Sequence, residues 1–165
     1  MNRWDYSHVA AFPYDDETMY VEGMTRLKDC EVVEDWGCGT AWAKRYRTGT
    51  YIGVDWAPGF ADVVADLHTY TSRVDGIYMR GVLEHNEDWQ PILDNALASA
   101  PHLVLVLFTP MAAETSVIAV NGRGIPDISF AAGDIEARFK RPFTFKDYAT
   151  DTQYGTERLY EVTGA

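Results

Sequence analysis

The sequence predicts a single α/β domain built on a doubly wound, mostly parallel sheet. Short apolar segments alternate with helical ones along the chain, a pattern typical of parallel βαβ units. The segment "HLVLVLFTP" (102–110) is apolar almost throughout, as in a strand buried on both faces. No repeat or linker divides the 165 residues, and a chain of this length suits one domain with a substantial core.

Seven strands are expected, five of them in the parallel core. The core strands are predicted at 31–36, 50–55, 62–67, 75–79 and 102–110, and helices at 16–28, 40–46 and 88–100. The last helix has Pro91 in its first turn, where proline is tolerated. The tail differs, because "PFTFKDYATD" and "ERLYEVTG" flank the turn-like "TQYGT" and predict a C-terminal antiparallel hairpin.

The charge of the chain argues against nucleic acid as a partner. The formal net charge is −11, whereas proteins that grip DNA or RNA present a basic face to the phosphates. One basic cluster, at 136–145, interleaves Arg138, Lys140 and Arg141 with Phe139, Phe143 and Phe145. Such interleaving can bind single strands, but the spacing favours core aromatics with the basic groups facing outward.

Nothing in the sequence predicts a membrane or metal partner. No apolar run reaches the roughly 18 residues of a membrane span, and the N-terminus lacks a signal-peptide pattern. Cys30 and Cys38 have no disulfide-framework or metal-ligand spacing. We therefore expect a cytoplasmic protein with reduced thiols.

The stretch "EDWGCGTAWA" (34–43) predicts a binding loop for a nucleotide-type cofactor. Ligands of doubly wound sheets bind at the carboxyl ends of the strands, and Gly37 and Gly39 stand where the first strand should end. Glycine lets the backbone approach a ligand, and a following helix offers free N–H groups. Asp55 closes the second strand, 18 positions after Gly37, where an acid can accept hydrogen bonds from ribose hydroxyls.

Two cofactor patterns can be compared on this loop. The dinucleotide pattern G-x-G-x-x-G/A fails, because it places Trp42 where a small residue allows close helix–strand packing. The alternative is G-x-G-x-G with an acid two positions before it, matched by Asp35, Gly37 and Gly39 with Ala41 in the last position. This stretch resembles motif I of the class I S-adenosylmethionine-dependent methyltransferases, although Trp36 stands in a usually aliphatic place.

The resemblance continues along residues 31–110. Asp66 in "VVADLHTY" matches the family's acid near the adenine, and "VLEH" (82–85) matches its loop after the fourth strand. The resemblance implies a Rossmann-like methyltransferase fold that binds S-adenosylmethionine and S-adenosylhomocysteine. The cofactor residues that it implies are Asp35, Gly37, Cys38, Gly39, Asp55, Trp56, Asp66, Leu67, Arg80 and Glu84.

The same resemblance divides the single domain (1–165) into functional segments. These are an N-terminal helical cover (1–30), a cofactor-binding core (31–110), an acceptor-side loop and helix (111–141) and the terminal hairpin (142–165). In the cover, Tyr6 and Tyr14 either fold over the cofactor or pack as ordinary aromatics. Long loops in compact domains are usually functional, so residues 108–130 are expected to form a mobile acceptor-binding lid.

Methyl transfer from a sulfonium asks the protein mainly to position donor and acceptor. His85 is the predicted catalytic base for an acceptor that must lose a proton, because histidine titrates near neutral pH. Its alternatives are a hydrogen bond to the loop backbone or closure over the cofactor. Glu84 either holds the cofactor's amino group, orients His85 or caps locally, and Arg80 either holds a carboxylate or forms a surface ion pair. Cys38 has no histidine next to it in the sequence, so packing is favoured over a nucleophilic role.

We therefore expect a methyltransferase whose acceptor is a small molecule, a sugar hydroxyl or a protein side chain. A module that binds S-adenosylmethionine without catalysis is the first alternative. An enzyme that uses the same cofactor for cleavage or decarboxylation is the second. A nicotinamide reductase is the third, and the position of Trp42 disfavours it.

Overall fold

A computed structural model describes residues 16–164 of the chain. Tyr6 and Tyr14, predicted in the N-terminal cover, lie outside the described residues. No helix between residues 16 and 164 is long and apolar enough to cross a membrane.

The chain forms a seven-stranded mixed sheet, which confirms the predicted fold class. Its strands are β1 (Val32–Trp36), β2 (Thr50–Asp55), β3 (Val63–Val64), β4 (Gly76–Arg80), β5 (His102–Leu107), β8 (Phe143–Ala149) and β9 (Thr156–Val162). They lie in the order β3-β2-β1-β4-β5-β9-β8. Strands β1 to β5 are parallel, β9 is antiparallel to β5, and β8 is antiparallel to β9. The strand order reverses between β1 and β4, so the carboxyl ends of these two strands form the switch point at which such sheets bind ligands.

Two of the predicted helices form and the third is shorter than expected. Helix α1 spans Thr18–Arg26 and α2 spans Gln90–Ser99, close to the predictions. The predicted helix at 40–46 is instead a five-residue 3-10 helix, Trp42–Tyr46. Ala41 before it is left-handed, and β2 begins at Thr50, so the connection is too short for a full α-helix.

The segment predicted as a long mobile loop contains regular structure. Strands β6 (Ser116–Val120) and β7 (Pro126–Ser129) pair in an antiparallel hairpin, followed by the short helix α3 (Ala132–Glu136). The β-branched and apolar residues of "SVIAV" favour a strand, so the prediction of a loop from the length of the segment was wrong here. Strand β7 is buried along its whole length, so this half of the segment belongs to the packed structure.

The sheet is covered on both faces, as its apolar strands predict. Along β4, Ile77 and Met79 enter one core with Trp36 and helix α2, while Tyr78 enters the other with helix α1. Alternate side chains of a strand point to opposite faces, so a single strand supplies both cores. The site is therefore held by a sheet that is fixed from both sides.

The basic and aromatic cluster at 136–145 is only partly core. Phe139 is buried and packs its ring against Tyr160, but Phe145 is 51% exposed on the edge strand β8, contrary to the prediction. The guanidinium of Arg138 forms two hydrogen bonds to Asp94, and Arg141 donates to backbone carbonyls. These cations are engaged by the protein itself.

Candidate active site

The loop after β1 is shaped by three residues with positive φ: Gly37 (75°), Gly39 (55°) and Ala41 (54°). Two features exclude a side chain at Gly37: its positive φ, and an added Cβ that would lie 2.3 Å from Cγ2 of Val82. The loop thus packs directly on the turn that follows β4. Ala41 adopts the left-handed conformation with a Cβ, which costs an L-residue about 1–2 kcal/mol.

The amide groups of this loop are engaged within the protein. The N–H groups of Gly37 and Cys38 donate to the carbonyl of Val54, and that of Gly39 donates to Oδ2 of Asp55. The prediction that the helix after the loop offers free N–H groups to a ligand is wrong, because only the short 3-10 helix Trp42–Tyr46 follows the loop. Oγ1 of Thr40 is buried and has no partner among residues 16–164, so it is the loop group with unused hydrogen-bonding capacity.

Asp55 joins the loop to the end of β2. Its Oδ2 accepts from Gly39 at 2.9 Å and its Oδ1 accepts from the N–H of Ala57 at 2.8 Å. Burial raises the pKa of this carboxyl, and the hydrogen bonds from Ala57 and Gly39 act in the opposite direction. Each carboxylate oxygen can accept more than one hydrogen bond, so Asp55 retains the capacity to bind hydroxyl groups. Next to it, Trp56 is 51% exposed.

Asp35 lies at the end of β1, beneath the loop. Burial raises its pKa to about 7, although the Tyr51 hydroxyl donates to its Oδ2 at 2.6 Å. Cys38 packs beside Gly53, where an added Cβ would lie 2.9 Å from Sγ. Burial and nearby carboxylates raise the pKa of the Cys38 thiol, which is therefore protonated at neutral pH. Cys38 is therefore a packing residue, as the sequence favoured.

The contacts of Trp36 explain why a tryptophan stands at this usually aliphatic position. Its indole N–H donates to Oε2 of Glu34 at 2.7 Å, and Tyr70 and Ser72 donate to the same carboxylate. Glu34 is buried, so these three donors satisfy a charge that the core would otherwise penalise. An aliphatic residue at position 36 would remove one of them.

The segment after β3 holds the predicted adenine-side residues. Oδ1 of Asp66 lies 2.8 Å from Nδ1 of His68 and accepts from its backbone N–H. Nε2 of His68 lies 3.0 Å from Oδ1 of Asp88, so this ring bridges two carboxylates. Leu67 between them is buried. Strand β3 itself has only two residues instead of the predicted 62–67.

Arg80 and Glu157 form a buried ion pair at the end of β4. Nε and Nη2 of Arg80 donate to the two carboxylate oxygens at 2.8 and 3.0 Å, and the side chains are 4% and 0% exposed. The guanidinium also lies 4.4 Å from the centre of the Tyr20 ring. The predicted alternative of a surface ion pair for Arg80 is therefore wrong, because the pair that it forms with Glu157 of β9 is buried.

Glu84 lies in the short turn after β4 and is completely buried. The N–H of Phe108 donates to its Oε1 at 2.6 Å, whereas Oε2 has no partner among the described residues. Burial raises its pKa to about 8, so the carboxyl is mostly protonated at neutral pH. A neutral Glu84 donates a hydrogen bond rather than presenting a negative charge.

His85 follows Glu84 and contacts the β6–β7 hairpin. Its Nδ1 lies 2.9 Å from the carbonyl oxygen of Pro126 and 3.4 Å from Oδ1 of Asp127. Burial lowers the pKa of His85, while the Pro126 carbonyl and Asp127 act to raise it. The ring is therefore neutral at neutral pH, the form that can accept a proton.

The residues that surround His85 were not predicted from the sequence. Asp127 comes from β7, and Tyr154 from the β8–β9 turn donates its hydroxyl to Oδ2 of Asp127 at 2.7 Å. The ring of Phe108 lies between those of His85 and Tyr154, with centroids 5.3 and 5.8 Å away. Asp127 lies 42 positions after His85, and only the tertiary fold brings them together.

No family model matches the sequence, and no curated protein matches it. Solved structures do match over most of the chain. The 1,6-didemethyltoxoflavin-N1-methyltransferase of Burkholderia thailandensis, with bound S-adenosylhomocysteine, has a TM-score of 0.67 at 15% identity over 88% of this chain and 77% of that one.

Two further methyltransferases have the same architecture. The N-methyltransferase NodS of Bradyrhizobium japonicum, in complex with S-adenosylhomocysteine, has a TM-score of 0.62 at 14% identity over 98% of this chain and 93% of its own. The magnesium protoporphyrin IX methyltransferase of Synechocystis has a TM-score of 0.61 at 14% identity, over 90% and 83% of the two chains.

The chain has the class I methyltransferase fold. In this fold the carboxyl ends of β1, β2 and β4 carry Gly37, Asp55 and Arg80, so the predicted cofactor residues border one edge of the sheet. Within residues 16–164 of this methyltransferase fold, no cluster of three or more His, Cys, Asp or Glu residues could hold a metal ion.

Proposed function

We propose that the protein binds S-adenosylmethionine at the carboxyl edge of β1 and β2 and transfers its methyl group to an acceptor near His85. The single observation that carries the proposal is the contact between Gly39 and Asp55, which joins the glycine loop to the acid at the end of β2 in a class I methyltransferase fold. The same contact positions a carboxylate to accept hydroxyl groups of a ribose.

The residues present fit this cofactor. S-adenosylmethionine carries a sulfonium and an ammonium group, and the loop is bordered by the acids Asp35 and Asp55. A dinucleotide pattern would need a small residue at the position of Trp42, which disfavours a nicotinamide cofactor. The exposed ring of Trp56 offers an apolar surface for an adenine, and Asp66, Leu67 and Glu84 are proposed to border the remainder.

When bound, S-adenosylmethionine supplies an activated methyl group, and the protein's task is to position the two reactants and manage the proton. His85 is proposed as the proton acceptor, because its neutral ring lies beside the β6–β7 hairpin at this edge of the sheet. The proton of the acceptor group passes to His85 as the new bond forms. The acceptor itself is proposed to be a small molecule, a sugar hydroxyl or a protein side chain.

One observation favours the alternative of a binding module without catalysis. The N–H groups of Gly37, Cys38 and Gly39 are all used within the protein, and Ala41 replaces the last glycine of the motif. Such a module would bind the cofactor and transfer no methyl group to any acceptor.

Titration calorimetry with S-adenosylmethionine, S-adenosylhomocysteine and NADH tests the proposal. We expect micromolar binding of the first two ligands and none of NADH. Absence of binding by both adenosyl ligands would contradict the cofactor assignment. Incubation with methyl-labelled S-adenosylmethionine and a fractionated cell extract then separates an active methyltransferase, which labels an acceptor, from the binding module, which labels nothing.

A further inference from the structure

We propose that Asp127 and Tyr154 are positioning residues that hold His85 as the proton acceptor, and that the site takes an acceptor with a proton on oxygen or nitrogen rather than a carboxylate. This inference rests on the proposed methyl transfer and names the chemical class of the acceptor. It is carried by the contacts around the imidazole ring.

The first contact determines which nitrogen carries the proton. Nδ1 of His85 lies 2.9 Å from the carbonyl oxygen of Pro126, and a carbonyl oxygen only accepts hydrogen bonds. Nδ1 must therefore be the donor in the neutral ring. The lone pair that takes up a proton is then on Nε2.

The second contact prepares the ring for a positive charge. Oδ1 of Asp127 lies 3.4 Å from Nδ1 of His85, and its side chain is only 9% exposed. An opposite charge at this distance stabilises the protonated ring. Oδ2 accepts the hydroxyl proton of Tyr154 at 2.7 Å, which fixes the carboxylate in this orientation.

Aromatic packing restrains the ring from the side. The centroid of Phe108 lies 5.3 Å from that of His85 and 5.8 Å from that of Tyr154. The His85 side chain is 11% exposed. Residues from three separate segments thus hold one imidazole, a degree of restraint that a surface histidine does not require.

The charges next to the ring select the acceptor. Oδ1 of Asp127 lies 3.4 Å from the His85 ring, so this carboxylate would repel an acceptor that carries a carboxylate of its own. The guanidinium of Arg80 at the end of β4 is paired with Glu157. A neutral hydroxyl or an ammonium group meets no such repulsion.

The proton transfer is balanced within this arrangement. The bond from the acceptor's oxygen or nitrogen to hydrogen breaks, and its electron pair stays on that atom. A new N–H bond forms at Nε2, and the resulting imidazolium lies beside the Asp127 carboxylate. The acceptor atom is left with the lone pair that methyl transfer needs.

Nitrogen-detected NMR of the imidazole tests the positioning role. Among residues 16–164, Asp127 and Tyr154 are the titratable groups on the side of Nδ1, and Glu84 precedes the ring in the turn. We expect the neutral ring in the Nδ1–H form. Asp127→Asn should lower the pKa of His85 by roughly half a unit or more, since the carboxylate favours the charged ring, and Asp127→Glu should restore most of it.

Asp134→Asn is the matched control, because Asp134 is an acid on α3 that accepts a hydrogen bond from Thr115. It should leave the titration of His85 in place. An Nε2–H ring in the wild type, or an Asp127→Asn variant with an unchanged His85 titration, would overturn the positioning role.

Three probes with one ring test the acceptor class. All three probes carry a phenyl ring. Benzyl alcohol and benzylammonium carry their polar group on a methylene, and benzoate carries its carboxylate directly on the ring. We expect the alcohol or the ammonium to shift the Nε2 resonance of His85, and which of them does so distinguishes a hydroxyl from an amine acceptor. A larger shift with benzoate, or no shift with any probe, overturns the acceptor class. Calorimetry of the wild type with S-adenosylhomocysteine is read separately, so failure of the cofactor proposal remains distinguishable.

Discussion

The backbone N–H of Gly39 donates to Oδ2 of Asp55 at 2.9 Å, and this bond ties the loop after β1 to the carboxyl end of β2. Two neighbouring parallel strands thus share one polar junction at the switch point of the sheet. A ligand that contacts Asp55 therefore also contacts a group that holds the loop in place.

Removing the charge of Asp55 should weaken cofactor binding. Asp55→Asn keeps one oxygen that can accept from Gly39 or Ala57 but loses the carboxylate proposed to bind the ribose. We expect calorimetry to show at least a tenfold loss of affinity for S-adenosylhomocysteine, about 1.4 kcal/mol.

The control for this change is Asp62→Asn. The N–H of Gly53 in β2 donates to Oδ2 of Asp62 at 2.8 Å. Both variants therefore lose one negative charge and alter one backbone hydrogen bond. Equal losses of affinity in both variants would indicate a general electrostatic effect and would count against a direct role for Asp55.

Ala41→Gly should stabilise the fold. Ala41 has φ 54° and ψ 35°, and glycine removes the penalty for a side chain in this region. Because glycine also gains freedom in the unfolded chain, we expect a net gain of about 0.5–1 kcal/mol in the free energy of unfolding, measured with urea. Ala43→Gly, two residues on in the 3-10 helix, should instead destabilise. A loss of stability in Ala41→Gly would show that the side chain is favourable there.

Glu84 should make stability fall as pH rises. Its pKa is about 8 in the folded protein against 4.5 in a free carboxyl, so the unfolded chain loses this proton first. The contribution of Glu84 is fully present below pH 4.5 and is lost as pH rises through about 8, by at most about 1.4 kcal/mol per pH unit. Thermal melts should therefore show Glu84→Gln gaining stability over the wild type across this window.

The same change at the exposed Glu87 controls for the loss of one negative charge. A similar gain in Glu87→Gln would attribute the effect to net charge. A constant difference between Glu84→Gln and the wild type at every pH would contradict a protonated, buried Glu84.

Breaking the ion pair between Arg80 and Glu157 should be costly. Arg80→Met leaves Glu157 buried without its cation, and such losses amount to about 3–5 kcal/mol of unfolding free energy. Arg138→Met breaks a pair with Asp94 whose side chains are 30% and 52% exposed, and should cost under about 1 kcal/mol. Chemical denaturation measures both. Equal, small losses would contradict a structural role for the buried pair.

The strand pattern and the loop motif could be predicted from the sequence because both depend on local order. Apolar runs that alternate with helical segments predicted the parallel core. The spacing of Asp35, Gly37, Gly39 and Asp55 predicted that the ends of β1 and β2 lie side by side. The β6–β7 hairpin was missed although "SVIAV" has a strand composition, because the length of the segment favoured a loop.

By itself, the sequence determined the α/β class, the antiparallel tail and the residues that end β1 and β2, since period and turn chemistry act over a few neighbouring positions. Only the tertiary structure decided that Arg80 pairs with Glu157, 77 positions away, and that His85 meets Asp127. Burial and pairing depend on which distant segments share an edge of the sheet. The same dependence sets the ionisation of Asp35 and Glu84, because desolvation is a property of the folded surroundings rather than of the chain.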